Sequence, residues 1–274
     1  MRLTLSVIAA DGAIRYALEG ENEVFLGWRG AYEPGDRLVV SCDVKEAHLV
    51  MQLDECLAES RVLLRGGRFE FPIPFGDAQK SYGTGRAFEG ERHMARVRAE
   101  DPRGIGAWRN LALNAHDLTP GEGMLAAVPR DAAPVLFPHA STNVEPGNPQ
   151  FIARNAIDGV VEPGMHGSWP HESWGVAGRA DAWLQVDFGE PVIADELRLY
   201  LRADFPHDTC WERATVMLSD GAELPLALAK TGARQAFDLG HRVIEWLRLG
   251  NLAKRDEDGF PGLSQLEIWG RRAL

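Results

Sequence analysis

Cysteine is scarce. The 274 residues contain three, Cys42, Cys56 and Cys210, odd in number, far apart and without a CxxC pair. That pattern excludes a disulfide scaffold and a cysteine-rich zinc site, and makes the reducing cytoplasm the expected compartment. Long apolar runs are missing too, and none approaches the ~18 residues of a membrane-spanning helix. The opening Met1-Arg-Leu-Thr-Leu-Ser-Val-Ile-Ala-Ala-Asp-Gly interleaves hydroxyls and meets a charge at Asp11, so it reads as a strand and turn rather than a signal peptide. Positive charge is in deficit: 29 Lys and Arg face 40 Asp and Glu, a formal net charge of -11. That balance disfavours nucleic acid and anionic membranes as partners. Helical periodicity is nearly absent, with only residues 55–61 suited to a short helix. No nucleophile elbow or phosphate-binding loop stands out.

What is present is strand signal. In the first half, Glu33-Pro-Gly-Asp36 precedes an apolar run at 37–42, residues 48–53 alternate, and 62–64 lead into Gly66-Gly67. Phe69-Glu-Phe-Pro-Ile-Pro-Phe75 puts aromatics on one face, and Pro72 and Pro74 place that strand at a sheet edge. Residues 94–99 and 108–113 continue the pattern, so 1–128 reads as a small β-sandwich or barrel without a catalytic constellation. Arg86, Glu91, Arg92 and His93 read as a solvated or interface surface, and Trp108 as a residue that packs one domain on the other. Three prolines at 129, 134 and 138 suit an extended connector over 129–137, and an ordered crossing strand is the alternative.

The second half, 138–274, carries six of the eight tryptophans. Leu184, Val186 and Phe188 share one face of a strand, and Asp195, Leu197, Leu199 and Leu201 share a face of the next. Ala214, Val216 and Leu218 lead into a Ser219-Asp-Gly221 hairpin with a return strand over 223–227. Strands at 235–239, 243–249 and 263–269 follow. Short strands without intervening amphipathic helices indicate an all-β protein whose C-terminal part is an antiparallel sandwich.

Several pieces of this half, in order, are Ala140-Ser-Thr-Asn143, Ala156-Ile-Asp-Gly159, Trp174, Ala182-Trp-Leu-Gln-Val-Asp-Phe-Gly189, Leu197-Arg-Leu-Tyr-Leu201 and Leu266-Glu-Ile-Trp-Gly270. Together they resemble the galactose-binding-like, or discoidin (coagulation factor 5/8 type C), family of jelly-roll domains over about residues 138–270. The resemblance implies a non-catalytic module that binds glycans, or in some branches phospholipid or other ligands, through loops at one end of the sandwich. It also implies a structural calcium, with Asp158 and Glu267 supplying oxygens beside main-chain carbonyls and Ser168 as a further donor. The alternative for Asp158 is to cap its own Asp-Gly turn. This half departs from the family in holding only Cys210, where many members close the domain with a disulfide.

Two loops concentrate the chemistry. Arg202-Ala-Asp-Phe-Pro-His-Asp-Thr-Cys-Trp211 follows a strand whose leucines face the core. Arg202, Asp204, His207 and Asp208 offer donors and acceptors for vicinal hydroxyls, while Trp211 or Phe205 offers a plate for a sugar ring. A structural network, with Arg202 paired to a loop aspartate and Trp211 packed beneath, is the competing reading. Gly164-Met-His-Gly-Ser-Trp-Pro-His-Glu-Ser-Trp174 adds His166, Trp169 and His171, while the resemblance implies that Trp174 packs in the core. A zinc ion on His166, His171 and His207 with Glu172 or Asp208 is a further reading, since nitrogen and carboxylate ligands suit zinc, although the spacing matches no metalloprotease or finger pattern.

Three functions are then open. A saccharide-binding protein leads. A structural or oligomeric interaction protein, with a homo-oligomer as one form, would bury the same aromatic loops in an interface. A glycoside hydrolase would use Asp204 and Asp208 with His207, but a pair four residues apart in a loop does not fix the ~5–9 Å carboxylate separation that mechanism needs.

Overall fold

The computed structural model describes residues 1–82, 86–118, 133–144, 147–161, 172–203, 209–256 and 259–273. Eight strands come first: β1 (Arg2–Ile8), β2 (Ile14–Glu21), β3 (Glu23–Arg29), β4 (Arg37–Cys42), β5 (Glu46–Gln52), β6 (Ser60–Arg65), β7 (Arg68–Pro72) and β8 (Arg92–Ala99). Four short ones follow, β9 (Arg109–Asn110), β10 (Leu136–Phe137), β11 (His139–Thr142) and β12 (Trp174–Gly175). The last five are β13 (Leu184–Arg202), β14 (Trp211–Leu218), β15 (Glu223–Ala227), β16 (Gln235–Lys254) and β17 (Gly262–Arg272).

The first eight strands build two sheets, in the orders β2-β1-β4-β7 and β10-β6-β5-β8-β3. Alternation drives the packing. Leu3, Leu5, Leu38 and Phe71 from one sheet meet Leu26, Leu49, Met51 and Val97 from the other, all buried. β7 lies at an edge, as its prolines require. Residues 55–61 are not helical. The Asp54 carboxylate takes the backbone N–H of Cys56 at 2.8 Å and of Phe88 at 2.8 Å, which fixes a turn instead, and β6 begins at Ser60. His93, expected on a solvated surface, is buried between Trp28 and Tyr32, with ring centroids 5.2 and 4.1 Å away.

The C-terminal half is the larger β-sandwich. Its strands run β12-β17-β13-β16-β14-β15, with β11 beside β13 and β9 beside β17. Leu184, Val186, Phe188, Leu197, Leu199 and Leu201 point into one core with Val216, Leu247, Leu249, Leu266 and Ile268. The two strands expected around 184–202 are one, β13. The pairing register breaks between Asp187 and Val192, where Gly189 has φ +72°. A Cβ at Gly189 would lie 2.6 Å from the Phe137 ring, so only glycine permits that close approach. Strands 235–239 and 243–249 likewise join as β16, through a left-handed Gly240-His241 pair. Asp195 does not share the leucine face. It sits at a register shift, where it accepts the Trp108 indole N–H at 3.0 Å and contacts His241 at 2.6 Å.

The two halves interlock. Chain leaving the first sandwich adds β9 to β17, and Leu136–Phe137 returns to pair with β6. Trp108 stacks on Trp269 at 4.6 Å, packing between the halves as its sequence position suggests. Arg272 of β17 bonds Glu190 and reaches His48 of β5 at 2.6 Å. Arg154, 1% exposed, donates to the carbonyls of Ser81 and Ala115 and lies 4.2 Å above the Tyr82 ring. No helix among the described residues is long and apolar enough to cross a membrane.

His116 anchors the same seam. Its Nε2 accepts the backbone N–H of Leu53 at 3.0 Å in a site without water access. Burial, reinforced by the Arg154 charge, depresses its pKa from 6.5 to about 3. Below the unfolded-state pKa the unfolded chain takes up a proton that the folded chain refuses. Stability from this group is therefore complete above about pH 6.5 and lost as pH falls toward 3. His116→Gln keeps an acceptor for Leu53 without the titration. Denaturant unfolding across that window should show the wild-type losing on the order of 4 kcal/mol more than the variant by about pH 3.

Candidate functional site

One end of the C-terminal sandwich gathers the strand ends that carry the chemically loaded loops. Trp174 pairs with Leu263 and Gly175 with Gly262, so residue 172, where segment 162–171 re-enters the described chain, lies beside β17. Leu201 and Arg202 pair with the same Leu263 and Gly262, so segment 204–208 departs from there as well. It rejoins at Thr209, whose side chain packs against Gly259, and at Trp211, which pairs with Lys254. Segment 162–171 therefore ends, and segment 204–208 begins, beside the Gly262–Leu263 start of β17.

The scaffold beneath is tightly bonded. Thr142 Oγ1 donates to the Trp183 carbonyl at 2.7 Å and accepts the Trp174 indole N–H at 3.2 Å. Asn143 accepts the Trp183 N–H at 2.9 Å and donates to the Asp181 carbonyl at 2.8 Å. The Ala140-Ser-Thr-Asn143 run thus clasps the start of β13. Trp174 is fully buried, as the resemblance implied.

The candidate residues fall into three groups. Asp204, Phe205, His207 and Asp208, with His166, Ser168, Trp169 and His171, lie outside the described residues. Arg202 is half-buried at the end of β13, at the base of its loop. Trp211 is core: 1% exposed, with its ring 5.9 Å from that of Trp174. In that position it presents no face to a ligand.

Among the calcium candidates, Asp158 is buried and bonds the Val160 N–H at 2.9 Å, capping its own turn, and lies 3.8 Å from Arg154. Glu267 is committed elsewhere, accepting the Trp269 indole N–H at 2.6 Å with Arg198 at 3.8 Å. The side chain that reaches the Asp158 turn from β17 is Gln265, which accepts the Gly159 N–H at 3.2 Å. Glu172 fits a cation better. It is buried, its carboxylate oxygens accept no hydrogen bond from another described residue, and it lies within electrostatic reach of Asp158. Burial lifts its carboxyl to about 7, with the Asp158 charge adding to the rise, and burial lifts Asp158 to about 6 against the opposing pull of Arg154. Among the described residues no group of three or more His, Cys, Asp or Glu side chains is arranged for a metal.

A second polar face escaped the sequence reading. Gln185 and Asp187 of β13, with Trp183 just before it, lie on the side opposite Leu184, Val186 and Phe188, and Trp246 and Arg248 flank them on β16. Arg248 lies 4.2 Å over the Trp183 ring and 5.7 Å from that of Trp246, and its Nε donates to Gln185 at 2.9 Å. The period-2 alternation that marks the core also marks this outer row, so the signal was there.

The molecule is thus an all-β protein whose larger C-terminal sandwich presents loops at one end. Residues 133–269, half of the chain, match the family described as a domain of unknown function (DUF7402), and the chain belongs to that family. No curated protein matches it. Among solved structures it is similar to chitosan-binding module 1 of a chitosanase/glucanase from Paenibacillus sp. IK-5, at 16% identity over 59% of this chain and 99% of that one, TM-score 0.40. It is similar also to the family 32 carbohydrate-binding module of C. perfringens NanJ, solved with galactose, at 17% identity over 47% and 91%, TM-score 0.37. The lectin domain of lectinolysin, solved with Lewis B antigen, gives 18% identity over 50% and 94%, TM-score 0.38. At these scores the likenesses carry no functional argument.

The core position of Trp211 has a measurable consequence. Truncating a fully buried tryptophan removes its packing and leaves a cavity against Trp174, at a cost of ~3–5 kcal/mol. Trp211→Ala should lower the thermal midpoint by many degrees, as scanning calorimetry would register. An unchanged midpoint would place the ring at the surface.

Proposed function

We propose that the chain is a non-catalytic carbohydrate-binding protein of galactose-binding-like type, whose ligand is held by loops 162–171 and 204–208. The observation that supports this is the convergence of both loop bases on Gly262 and Leu263. Two segments far apart in sequence, together bearing three histidines, four carboxylates counting Glu172, and the aromatic rings of Trp169 and Phe205, each have one end at this rim. Arg202 supplies a fixed charge at the base. Asp204, His207, Asp208, His166 and His171 supply hydroxyl partners, and Phe205 or Trp169 supplies the plate now that Trp211 is core. A rigid sandwich under polar, aromatic loops is a binding arrangement, because the scaffold bears the ordering cost before the ligand arrives.

The proposal keeps a structural calcium at the Asp158 turn, with Glu172 in the place expected for Glu267. Oxygen ligands from these two carboxylates, neighbouring carbonyls and Ser168 would suit a hard cation. Such an ion would pin residue 172, and with it one end of loop 162–171.

The test is titration of mono- and oligosaccharides against intrinsic fluorescence and thermal midpoint. A saturable shift is expected, weakened tenfold or more (about 1.4 kcal/mol) in His207→Ala and Trp169→Ala at unchanged midpoint. Silence across the panel with both variants folded would reject the saccharide and favour burial of these loops against another subunit, which sedimentation would reveal. Calcium at a hundredfold excess over its Kd should stabilise by about 2.7 kcal/mol. The gain should vanish in Asp158→Asn and persist in Glu267→Gln; no gain in the wild-type protein would remove calcium from the reading.

A further inference from the structure

A cleft of about 460 Å³ opens where the two halves meet, at one end of the outer row on β13 and β16. Its size falls in the ~300–1,000 Å³ range of small-ligand sites, and seams between folded units are a common place for them. Arg65 and Phe137 form one wall; Asp187, Glu190, Glu245 and Trp246 form the other.

The charges there are not equally free. Arg65 pairs with Glu46 at 3.2 Å, donates to the Gly189 carbonyl and lies 5.3 Å from the Phe137 ring centroid. Glu190 is paired with Arg272 at 2.7 Å. Asp187 accepts only a neutral donor, the Gln185 amide, at 2.9 and 3.1 Å, and the Glu245 side chain is exposed. Neither Asp187 nor Glu245 has an ion-pair partner among the described residues. Burial also raises the Asp187 carboxyl above its ordinary value, a cost that an incoming cation would relieve. The half-buried Trp246 ring lines the cleft beside these two carboxylates, and its indole N–H is uncommitted among the described residues.

Two carboxylates without an ion-pair partner among the described residues, beside a half-buried indole that the Arg248 guanidinium approaches only to 5.7 Å, suit a ligand that is cationic at one point and flat and C–H-rich at another. An amine-bearing sugar unit has both: the ammonium meets the carboxylates, the ring face covers the indole, and the indole N–H meets a hydroxyl. A lysine side chain has the charge without the flat face, and would leave most of the volume unfilled. The geometry points to this cleft as a second binding site, taking an amine-bearing saccharide between Trp246 and the carboxylates of Asp187 and Glu245. The net charge of -11 would draw a polycationic chain toward the protein. The site uses no residue of loops 162–171 or 204–208, so it stands or falls apart from the loop reading.

The probe pair is a β-1,4-linked glucosamine tetramer and its fully N-acetylated counterpart, which has nearly the same shape without the charge. Calorimetric titration at about pH 6 and low salt should show the amine form binding at least tenfold more tightly, with affinity falling as salt rises. Glu245→Gln, at an exposed position, should weaken it about fivefold at unchanged thermal midpoint, and Trp246→Ala tenfold or more. Should Trp246→Ala unfold, Glu245→Gln decides alone. His207→Ala should leave amine-tetramer binding intact, which separates this cleft from the loops. Equal affinity for the two tetramers, no binding of either, unaltered affinity in Glu245→Gln, or a lysine tetrapeptide binding as tightly as the glucosamine tetramer would each overturn the proposal.

Discussion

Arg154 is a cation with almost no access to water, and the contact between the two halves is built around it. Removing a guanidinium from solvent costs several kcal/mol unless its hydrogens find acceptors. Here the two terminal nitrogens find the carbonyls of Ser81 and Ala115 and the Asn155 side chain, with Asp158 at 3.8 Å and the Tyr82 ring beneath. Those partners come from both halves, so the charge is satisfied only when the halves are docked. His116, inserted toward Leu53 from the connecting chain, must then remain neutral beside that charge. The seam is therefore polar yet selective, because a displaced partner leaves a buried group without compensation.

The same cation reaches the candidate site. Arg154 holds Asp158, Asp158 caps the turn at Gly159, and Gln265 from β17 receives the Gly159 N–H. Glu172 stands at the end of that chain in a buried position, its carboxylate oxygens bonded by no other described residue. Burial raises its carboxyl and the Arg154 charge opposes that rise, so the charge state of Glu172 is linked to the cation at the seam.

The architecture was legible because alternation survives single-sequence reading. Leu184, Val186 and Phe188, the Ser219-Asp-Gly221 hairpin and the proline-marked edge strand all stand where their periodicity and turn chemistry put them. Three features were hidden, each for a physical reason. Gly189 and Gly240 read as strand ends, yet a left-handed glycine also lets a strand pass through a break and continue. Residues 55–61 carry helical propensity, but two backbone bonds to Asp54 outweigh it. Trp211 looked like a loop aromatic because sequence shows its neighbours rather than its partner, and the partner is Trp174, far upstream. Of the site itself, the bases of the loops are marked by local strand pattern, and the core place of Trp174 by the family resemblance. Which carboxylate faces Asp158 depends on a long-range approach that spacing does not encode.

The exchange of short strands between the halves has a consequence for how the chain can evolve. β9 lies upstream of the family segment yet completes β17 within it, and β10 lies inside that segment yet completes β6 outside it. Each half lends the other a piece of its hydrogen-bonded edge. A β-sandwich that travels freely between proteins must carry all its own strands. This one does not, so gene shuffling that moved residues 133–269 alone would export an open edge and leave another behind. Taken apart, each half would present an unpaired strand edge.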